Sequence, residues 1–343
     1  MLLAQAFWCE KDKHMSNTWK YLGKTLFRML TLLIAVSILA FVLVVNSPVD
    51  PLVSYIGTSS TISQEAKQEI IDYWQLDAPP AERFLTWANH LLHGDWGTSI
   101  TYKQPVLKVI GERLQYSIWL MLIAWILSGV IGFFLGIAAA VKRGSIFDKV
   151  TKVFCLVLQS APTFWLALLI LSLFAVKLQW FPIGLAAPMG VAAEDVTLGD
   201  RIYHMILPAL TLSLLGVGKM TLYTRQKLIE ILNSDYILFA KARGESMRQI
   251  IRRHGFRNIA MPALTVQCAS FSELFGGIAL AETVFSYPGI RTATTAAGLN
   301  GDVPLLLGIA VISAVFVFCG NMAANILYAV LDPRIKEGSS RES

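Results

Sequence analysis

Six long apolar stretches constrain this chain more than any other feature of its sequence. Each is free or nearly free of charged residues and is long enough to cross roughly 30 Å of hydrocarbon as a helix, which takes about 20 residues. Uninterrupted apolar runs without strict alternation indicate helices and not the strands of a barrel. The stretches are residues 26–45, 116–141, 153–176, 205–222, 261–286 and 303–331. The sequence therefore predicts an all-α polytopic membrane protein with six transmembrane helices.

The composition agrees with a membrane protein and argues against other classes. Of the 343 residues, 55% are hydrophobic and 15% are charged, which is too apolar for one soluble core. A pI near 9.1 indicates membrane topology and not nucleic acid, because basic residues collect on the cytoplasmic side. The four cysteines lack CxxC spacing, so we interpret them as small packing residues, and the five histidines lie outside the span cores.

The polar segments suggest how the chain is organised. We expect a cytoplasmic tail at residues 1–25, an external subdomain and elbow at 46–115, a five-helix core at 116–331 and a cytoplasmic tail at 332–343. Within 46–115, residues 81–92 have an apolar stripe and precede Gly94, which suits a helix with a glycine C-cap. Pro105 opens another apolar-faced segment, expected to lie on the membrane surface. No removable signal peptide is expected, and Met15 is a candidate start.

The distribution of Lys and Arg predicts the orientation. Of the 29 basic residues, 21 fall on the side of the two tails and 8 on the opposite side. Both termini are therefore expected in the cytoplasm.

One cytoplasmic loop, residues 219–262, is unusually basic. It carries nine Lys or Arg against three acids, a surplus that equals the net charge of the whole protein, +6. Ser234 or Asp235 can cap a helix there, and Gly244 interrupts its apolar periodicity. A glycine inside a helix indicates either a break or a surface that another backbone approaches closely. The simplest interpretation of the loop on its own is a solvated topology signal.

Motifs for independent chemistry are missing from the sequence. It contains no Gly-x4-Gly-Lys-Ser/Thr phosphate loop, no His-Glu-x-x-His and no Gly-x-Ser-x-Gly. The chain is therefore not expected to be an enzyme or to hydrolyse ATP itself, and no metal site is predicted.

Several short motifs, taken together, resemble the permease subunits of binding-protein-dependent ABC importers. In the basic loop these are Ala240, Gly244, Arg253-His254, Arg257-Asn258 and Pro262, with the eighteen-residue step from Gly244 to Pro262 typical of the dipeptide, oligopeptide and nickel subfamily. Elsewhere they are Gly94-Asp95-Trp96-Gly97, Gln104-Pro105-Val106, Pro162-Thr163-Phe164-Trp165-Leu166, Trp180-Phe181-Pro182, Leu207-Pro208-Ala209-Leu210-Thr211, Glu282 with Phe285, Pro288-Gly289 and Asp332-Pro333-Arg334. Two departures are Leu238-Phe239, where the family has Glu-Ala, and Arg291, where a glycine is expected.

The resemblance implies a type I ABC importer permease fold and a set of partners. These are a homologous second permease, two ATP-binding subunits that carry the ATP and Mg²⁺, an extracytoplasmic substrate-binding protein and membrane lipid. Residues 236–255 would dock on an ATPase and convert its closure into tilting of the spans. The ATPase-coupling residues implied by the resemblance are Ala240, Arg243, Gly244, Arg248, Arg253, His254 and Asn258.

The sequence leaves several candidate substrates. The run 271–277 and the Leu-Asp-Pro-Arg-Ile tail look most like nickel and opine-metallophore permeases. Nickel, a metal-opine chelate and a short peptide are therefore all candidates. The competing class is a secondary transporter or channel driven by an ion gradient, in which the loop is only a topology signal; it predicts ionisable residues in several spans.

One acidic residue lies near the middle of the fifth span. Glu273 is twelve residues after Met261, where a lipid-facing carboxylate is unfavourable. On a continuous helix it shares a face with Ser270 and Gly277, which predicts that these three residues line the translocation path. The alternative is a structural hydrogen bond from Glu273 to a neighbouring helix.

Overall fold

The structure, a computed structural model, describes residues 27–46, 68, 71, 78–192 and 195–331. These residues form helices and no β-strand. The helices are Phe27–Val45 (α1), Pro80–Leu92 (α2), Val106–Val141 (α3), Ile146–Ser160 (α4), Thr163–Lys177 (α5), Leu198–Leu232 (α6), Asp235–Ala242 (α7), Met247–Ala269 (α8), Phe271–Val284 (α9), Ile290–Leu299 (α10) and Val303–Leu331 (α11). Leu171–Lys177 in α5 and Ile251–Gly255 in α8 are π-helical.

The six expected spans correspond to four single helices and two bent pairs in the described part of the chain. Within the described part of the chain, α1, α3, α6 and the first part of α11 are each long and apolar enough to cross a membrane. Two bent pairs, α4 with α5 and α8 with α9, bring the number to six if each pair is one span. The prediction of an all-α protein with six apolar spans is confirmed in this form.

The third span differs from the single helix predicted at residues 153–176. Two helices meet there at 112°. Ala161 separates them in an extended conformation with ψ 135°, followed by Pro162. Proline disfavours the helical conformation of the residue before it and has no N–H to donate, so the chain turns at this point. The apolar run at residues 153–176 continues across this break, so hydropathy did not indicate it.

The fifth span also differs from the single helix predicted at residues 261–286. It starts earlier, at Met247, and bends by 59° between α8 and α9. Ser270 lies at the break with ψ −8°, and its hydroxyl donates to the Gln267 carbonyl at 2.8 Å. Ser270 is also buried, and because the helix is interrupted there it does not continue the helical face of Glu273.

In the described chain, the elbow expected after Pro105 is not a segment separate from the second span. Pro105 does precede a helix, but that helix runs without interruption from Val106 to Val141. Val106, Val109 and Ile110 are buried, so the apolar face packs against protein. The helix expected at residues 81–92 is confirmed as α2, and Gly94 follows it with φ +85°. The short helix α10, between the last two spans, was not anticipated.

The chain divides into two compact units. The described residues up to Ile110, with Ala296–Phe318, form one unit, and Gly111–Thr295 with the residues from Cys319 form the other. In the first unit, Phe41 of α1 packs edge-on against Phe84 of α2, at 5.4 Å between ring centroids. Also there, the buried Asp302 carboxylate accepts from the Thr101 N–H at 2.9 Å. The candidate site lies in the second unit.

Close helix packing in the second unit depends on the small residues of α3. A Cβ at Gly132 would lie 2.6 Å from Cβ of Met220, and one at Gly136 would lie 2.7 Å from the Thr221 carbonyl oxygen. Further along, Ala140 is buried against Leu228. These small residues of α3 allow the close approach of α6.

Candidate coupling loop and translocation path

The basic loop has its own small core. Ile237 and Ala240 of α7 pack with Ile250 of α8 against Ile231 and Leu232 at the end of α6. A solvated topology signal would not need such a core. The loop is therefore a folded element fixed to the end of a span.

The opposite side of the loop is exposed and partly apolar. Leu238 and Phe239, which stand where the family has Glu-Ala, are 66% and 72% exposed. The side chains of Tyr236 and Met247 are also exposed, together with those of Arg248, Arg252, Arg253 and Arg257. Exposed apolar side chains framed by cations are typical of a surface that docks a partner. Of the predicted coupling residues, Arg248 and Arg253 lie on this surface, whereas Ala240 is buried beneath it.

Gly244 ends α7 in a Schellman motif. The Glu245 N–H donates to the Ala240 carbonyl at 3.1 Å, and the Gly244 N–H donates to that of Lys241 at 2.9 Å. Gly244 has φ +81°, which suits glycine and strains other residues. No atom lies within 4 Å of a Cβ built there, so no other backbone of this chain approaches Gly244 closely. Of the two interpretations offered by the sequence, the structure shows a helix break.

A carboxylate lies between two predicted coupling residues, and a third bonds to one of them. The largely buried Glu245 lies 3.3 Å from His254 Nε2 and 3.8 Å from an Arg243 guanidinium nitrogen. The side-chain amide of Asn258 donates to the His254 carbonyl at 2.8 Å. The sequence identified Arg243, His254 and Asn258 but missed Glu245. The loop contains three acidic residues, and the sequence does not indicate which of them lies beside Arg243 and His254.

A second ion pair, also missed, ties α4 to α6 near the loop. The buried Asp148 carboxylate accepts two hydrogen bonds from the Arg225 guanidinium, at 2.6 and 2.9 Å, and one from the Gly144 N–H at 2.9 Å. Two parallel charge-assisted bonds are the strongest arrangement of this pair. The 77 residues between the partners explain why sequence spacing did not show it.

Glu273 is paired within its own chain. Lys219 Nζ of α6 donates to both carboxylate oxygens, at 2.8 and 3.0 Å. The pair is exposed, 46% for the Lys219 side chain and 65% for that of Glu273. Gly277, one turn further along α9, packs against Leu212 and Leu215 of α6. Of the three residues predicted to line a path, Glu273 has an open side chain, Gly277 lies beside it, and Ser270 is buried.

A buried carboxylate organises the connection after α9. Glu282 accepts hydrogen bonds from the Ser117 hydroxyl at 2.5 Å and from the N–H groups of Arg291 and Thr292 at 2.8 and 3.2 Å. Its carboxyl group therefore lies at the N-terminus of α10, where the helix dipole favours negative charge. A Cβ on Gly289 would collide with this carboxylate.

Arg291, which replaces an expected glycine, packs inward. Its guanidinium carbon lies 4.4 Å from the centre of the Phe275 ring, a cation–π contact. Burial lowers the pKa of this guanidinium below its usual value.

Comparison with known proteins defines the class. Residues 132–337 match the family described as binding-protein-dependent transport system inner membrane component. This chain belongs to that family. It is the membrane-embedded permease component of an ABC importer and not itself an enzyme. A permease of this class works with ATPase and substrate-binding partners.

Relatives narrow the class further. The chain is 32% identical over 317 residues to the oligopeptide transport system permease protein AppB of Bacillus subtilis, covering 92% of this chain and 99% of that one. It is 33% identical over 313 residues to a putative peptide transport system permease protein of Brucella abortus, covering 91% and 98%. It is also similar in fold to an inward-facing structure of the MetNI methionine ABC transporter, with TM-score 0.52, 14% identity and coverage of 66% and 98%.

These similarities test the predicted class of transporter and its substrate but not the roles of single residues. The ABC importer permease assignment is confirmed, and the alternative of a self-sufficient, ion-gradient-driven transporter is not favoured. The names of these relatives refer to peptides and give no support to nickel or an opine chelate. The residue-level assignments for coupling and for the path remain predictions.

Proposed function

We propose that this chain is a permease subunit of an importer of short peptides. The observation that carries the proposal is its similarity, over more than nine-tenths of its length, to permeases named for peptide transport. One such chain would pair with a homologous permease, and the substrate path would run along their interface. Two ATP-binding subunits would carry ATP and Mg²⁺, and a binding protein would deliver peptide from outside.

The exposed face of the basic loop is the proposed ATPase contact. Leu238, Phe239, Arg248 and Arg253 would enter a groove on the ATPase, while the core of Ile237, Ala240 and Ile250 holds α7 to the end of α6. Closure of the ATPases would then move α6 as a rigid rod instead of deforming the loop.

Uptake of peptide by the complete complex tests the proposed substrate. The chain, purified with its natural partner subunits and reconstituted in vesicles with binding protein outside and ATP inside, should accumulate radiolabelled trialanine. Accumulation of Ni²⁺ without peptide uptake would contradict the proposal and restore the metal alternative.

Gly244→Ala should uncouple transport. An alanine at φ +81° carries a strain of about 1–2 kcal/mol, which the loop can relieve by unwinding the end of α7. We expect trialanine uptake to fall about tenfold, the effect of roughly 1.4 kcal/mol, at unchanged membrane abundance. The matched control is Gly190→Ala, because Gly190 also has φ +81° and open space around it but lies outside the loop. Equal losses in both variants would contradict the coupling role of Gly244.

Labelling from the two sides of the membrane tests the proposed orientation. The basic loop that follows α6 and contains Gln249 should be cytoplasmic, and α2 should be external. In a cysteine-free background, Gln249→Cys should react with an impermeant thiol reagent only from inside, and Leu92→Cys, which replaces an 84% exposed side chain, only from outside. Labelling of both from outside would overturn the orientation. Ser63, another suitable external position in the sequence, lies outside the described residues.

A further inference from the structure

Lys219 breaks the burial pattern of α6. Between Leu207 and Arg225 it is the single residue of this helix whose side chain is exposed. The residues on either side, Gly218 and Met220, are buried. The middle part of this helix is thus largely buried in its unit, and Lys219 is the position where that part is open to the surface.

Glu273 lies on a matching open stripe of α9. The exposed positions among the described side chains of this helix are Glu273, Gly276, Leu280 and Thr283, at steps of three and four residues. A Cβ at Gly276 would meet nothing within 4 Å. A surface built for lipid would carry large apolar side chains here, and charges facing lipid are unfavourable. The stripe, with its charge pair, therefore faces either the partner permease or an aqueous path.

The pair is suited to exchange. An exposed ion pair adds little to stability, because water and side-chain entropy offset the attraction. Lys219 can therefore exchange Glu273 for a carboxylate of the substrate at little cost. Glu273 can likewise exchange Lys219 for an ammonium group of the substrate. A buried, bidentate pair such as Asp148–Arg225 cannot do this.

We infer that Lys219 and Glu273 bind the charged termini of a short peptide as it passes through the permease. This inference rests on the proposed peptide transport. The ammonium group of the peptide replaces Lys219 at the Glu273 carboxylate, and its carboxylate takes the freed Lys219 ammonium. Every charge keeps a partner throughout, so no unpaired charge is left between the spans. A bare metal cation at Glu273 would instead leave Lys219 unpaired and repelled, so the pair favours a zwitterion.

Peptides with blocked termini test the inference in the reconstituted complex. The probes are trialanine, N-acetyl-trialanine and trialanine amide, and the readout is the ratio of free to blocked peptide uptake. Glu273→Gln should lower the ratio of trialanine to N-acetyl-trialanine at least fivefold and leave the ratio to the amide nearly unchanged. Lys219→Met should do the reverse. The same binding protein serves every variant, so its own selectivity cancels when variants are compared with wild type.

Protection of a nearby thiol provides a second measurement that does not need the binding protein. In the complete complex, a Gly276→Cys thiol in a cysteine-free background should react more slowly with a maleimide when millimolar trialanine is present, and less so with either blocked peptide. Adding Glu273→Gln should remove the difference between trialanine and its N-acetyl form. Equal protection by all three peptides, or none, would overturn the inference.

A matched control separates recognition from simple loss of charge. Lys227→Met removes the cation of another exposed pair on α6, Lys227–Glu230, at the cytoplasmic end of the helix. It should leave both ratios unchanged. If Glu273→Gln and Lys219→Met lower uptake of all three peptides equally, the pair is structural and the inference is wrong, while peptide transport stands. If wild type accumulates none of the peptides, the proposed function fails and this inference falls with it.

Discussion

Asp148→Ala is expected to lower the stability of the permease by about 3–5 kcal/mol. The substitution removes the carboxylate that accepts two hydrogen bonds from Arg225 and one from the Gly144 N–H. The Arg225 side chain, which is only 13% exposed, would then be left without its counter-charge. Thermal unfolding of the purified complex and the abundance of the chain in the membrane should both report the loss.

Two further variants make this result specific. Glu230→Gln removes a carboxylate from the exposed Lys227–Glu230 pair and should change stability by less than about 1 kcal/mol. The double variant Asp148→Leu/Arg225→Met replaces both charges by apolar side chains and should recover most of the lost stability, because no buried charge is left unpaired. If Asp148→Ala is no more damaging than Glu230→Gln, the pair does not hold α4 to α6.

Gly289→Ala should destabilise the protein by about 2–4 kcal/mol, from a steric clash together with lost hydrogen bonds. The new methyl group would collide with the Glu282 carboxylate. Moving that carboxylate breaks its hydrogen bonds with Ser117 and with the N–H groups of Arg291 and Thr292, inside a site where Glu282 has no exposed surface. The melting temperature of the purified complex measures the effect.

A second glycine in the same unit supplies the control. Gly111 lies within α3 and has nothing within 4 Å of a built Cβ. Gly111→Ala should therefore be neutral or stabilising by up to about 1 kcal/mol, since alanine favours the helix. Similar melting temperatures for both variants would show that the Gly289 backbone can move away and that the carboxylate does not fix it.

The parts of the fold that follow local rules were predictable from the sequence. Apolar length located the spans, the amphipathic stripe before Gly94 located α2, and Gly244 marked a helix end. These features depend on residues a few positions apart, which sequence patterns record directly. The bend at Pro162 was also visible in principle, but an unbroken apolar run gave the span more weight than the proline.

The parts of the site that join distant segments were not predictable. Asp148 and Arg225 are 77 residues apart, and Lys219 and Glu273 are 54 apart. Sequence reasoning placed Glu273 near the middle of the fifth span, but a single sequence holds no record of which lysine lies opposite. Ser270 was misplaced on the face of Glu273 for a related reason, since its backbone leaves the helix where hydropathy does not change.

The bend in the fifth span has a mechanical consequence. On one side of the break, the Gln267 side-chain amide donates to the Trp125 carbonyl at 2.6 Å, and the Trp125 indole N–H donates to the Gln267 carbonyl at 2.8 Å. On the other side, Glu282 is fixed to Ser117. Ser117 and Trp125 both belong to α3, where eight residues span about 12 Å. The continuous helix α3 thus contacts the bent span at two points, one on each side of the bend. These contacts favour a fixed 59° angle, so Glu273, just beyond the bend, would move together with α3 if the spans tilt.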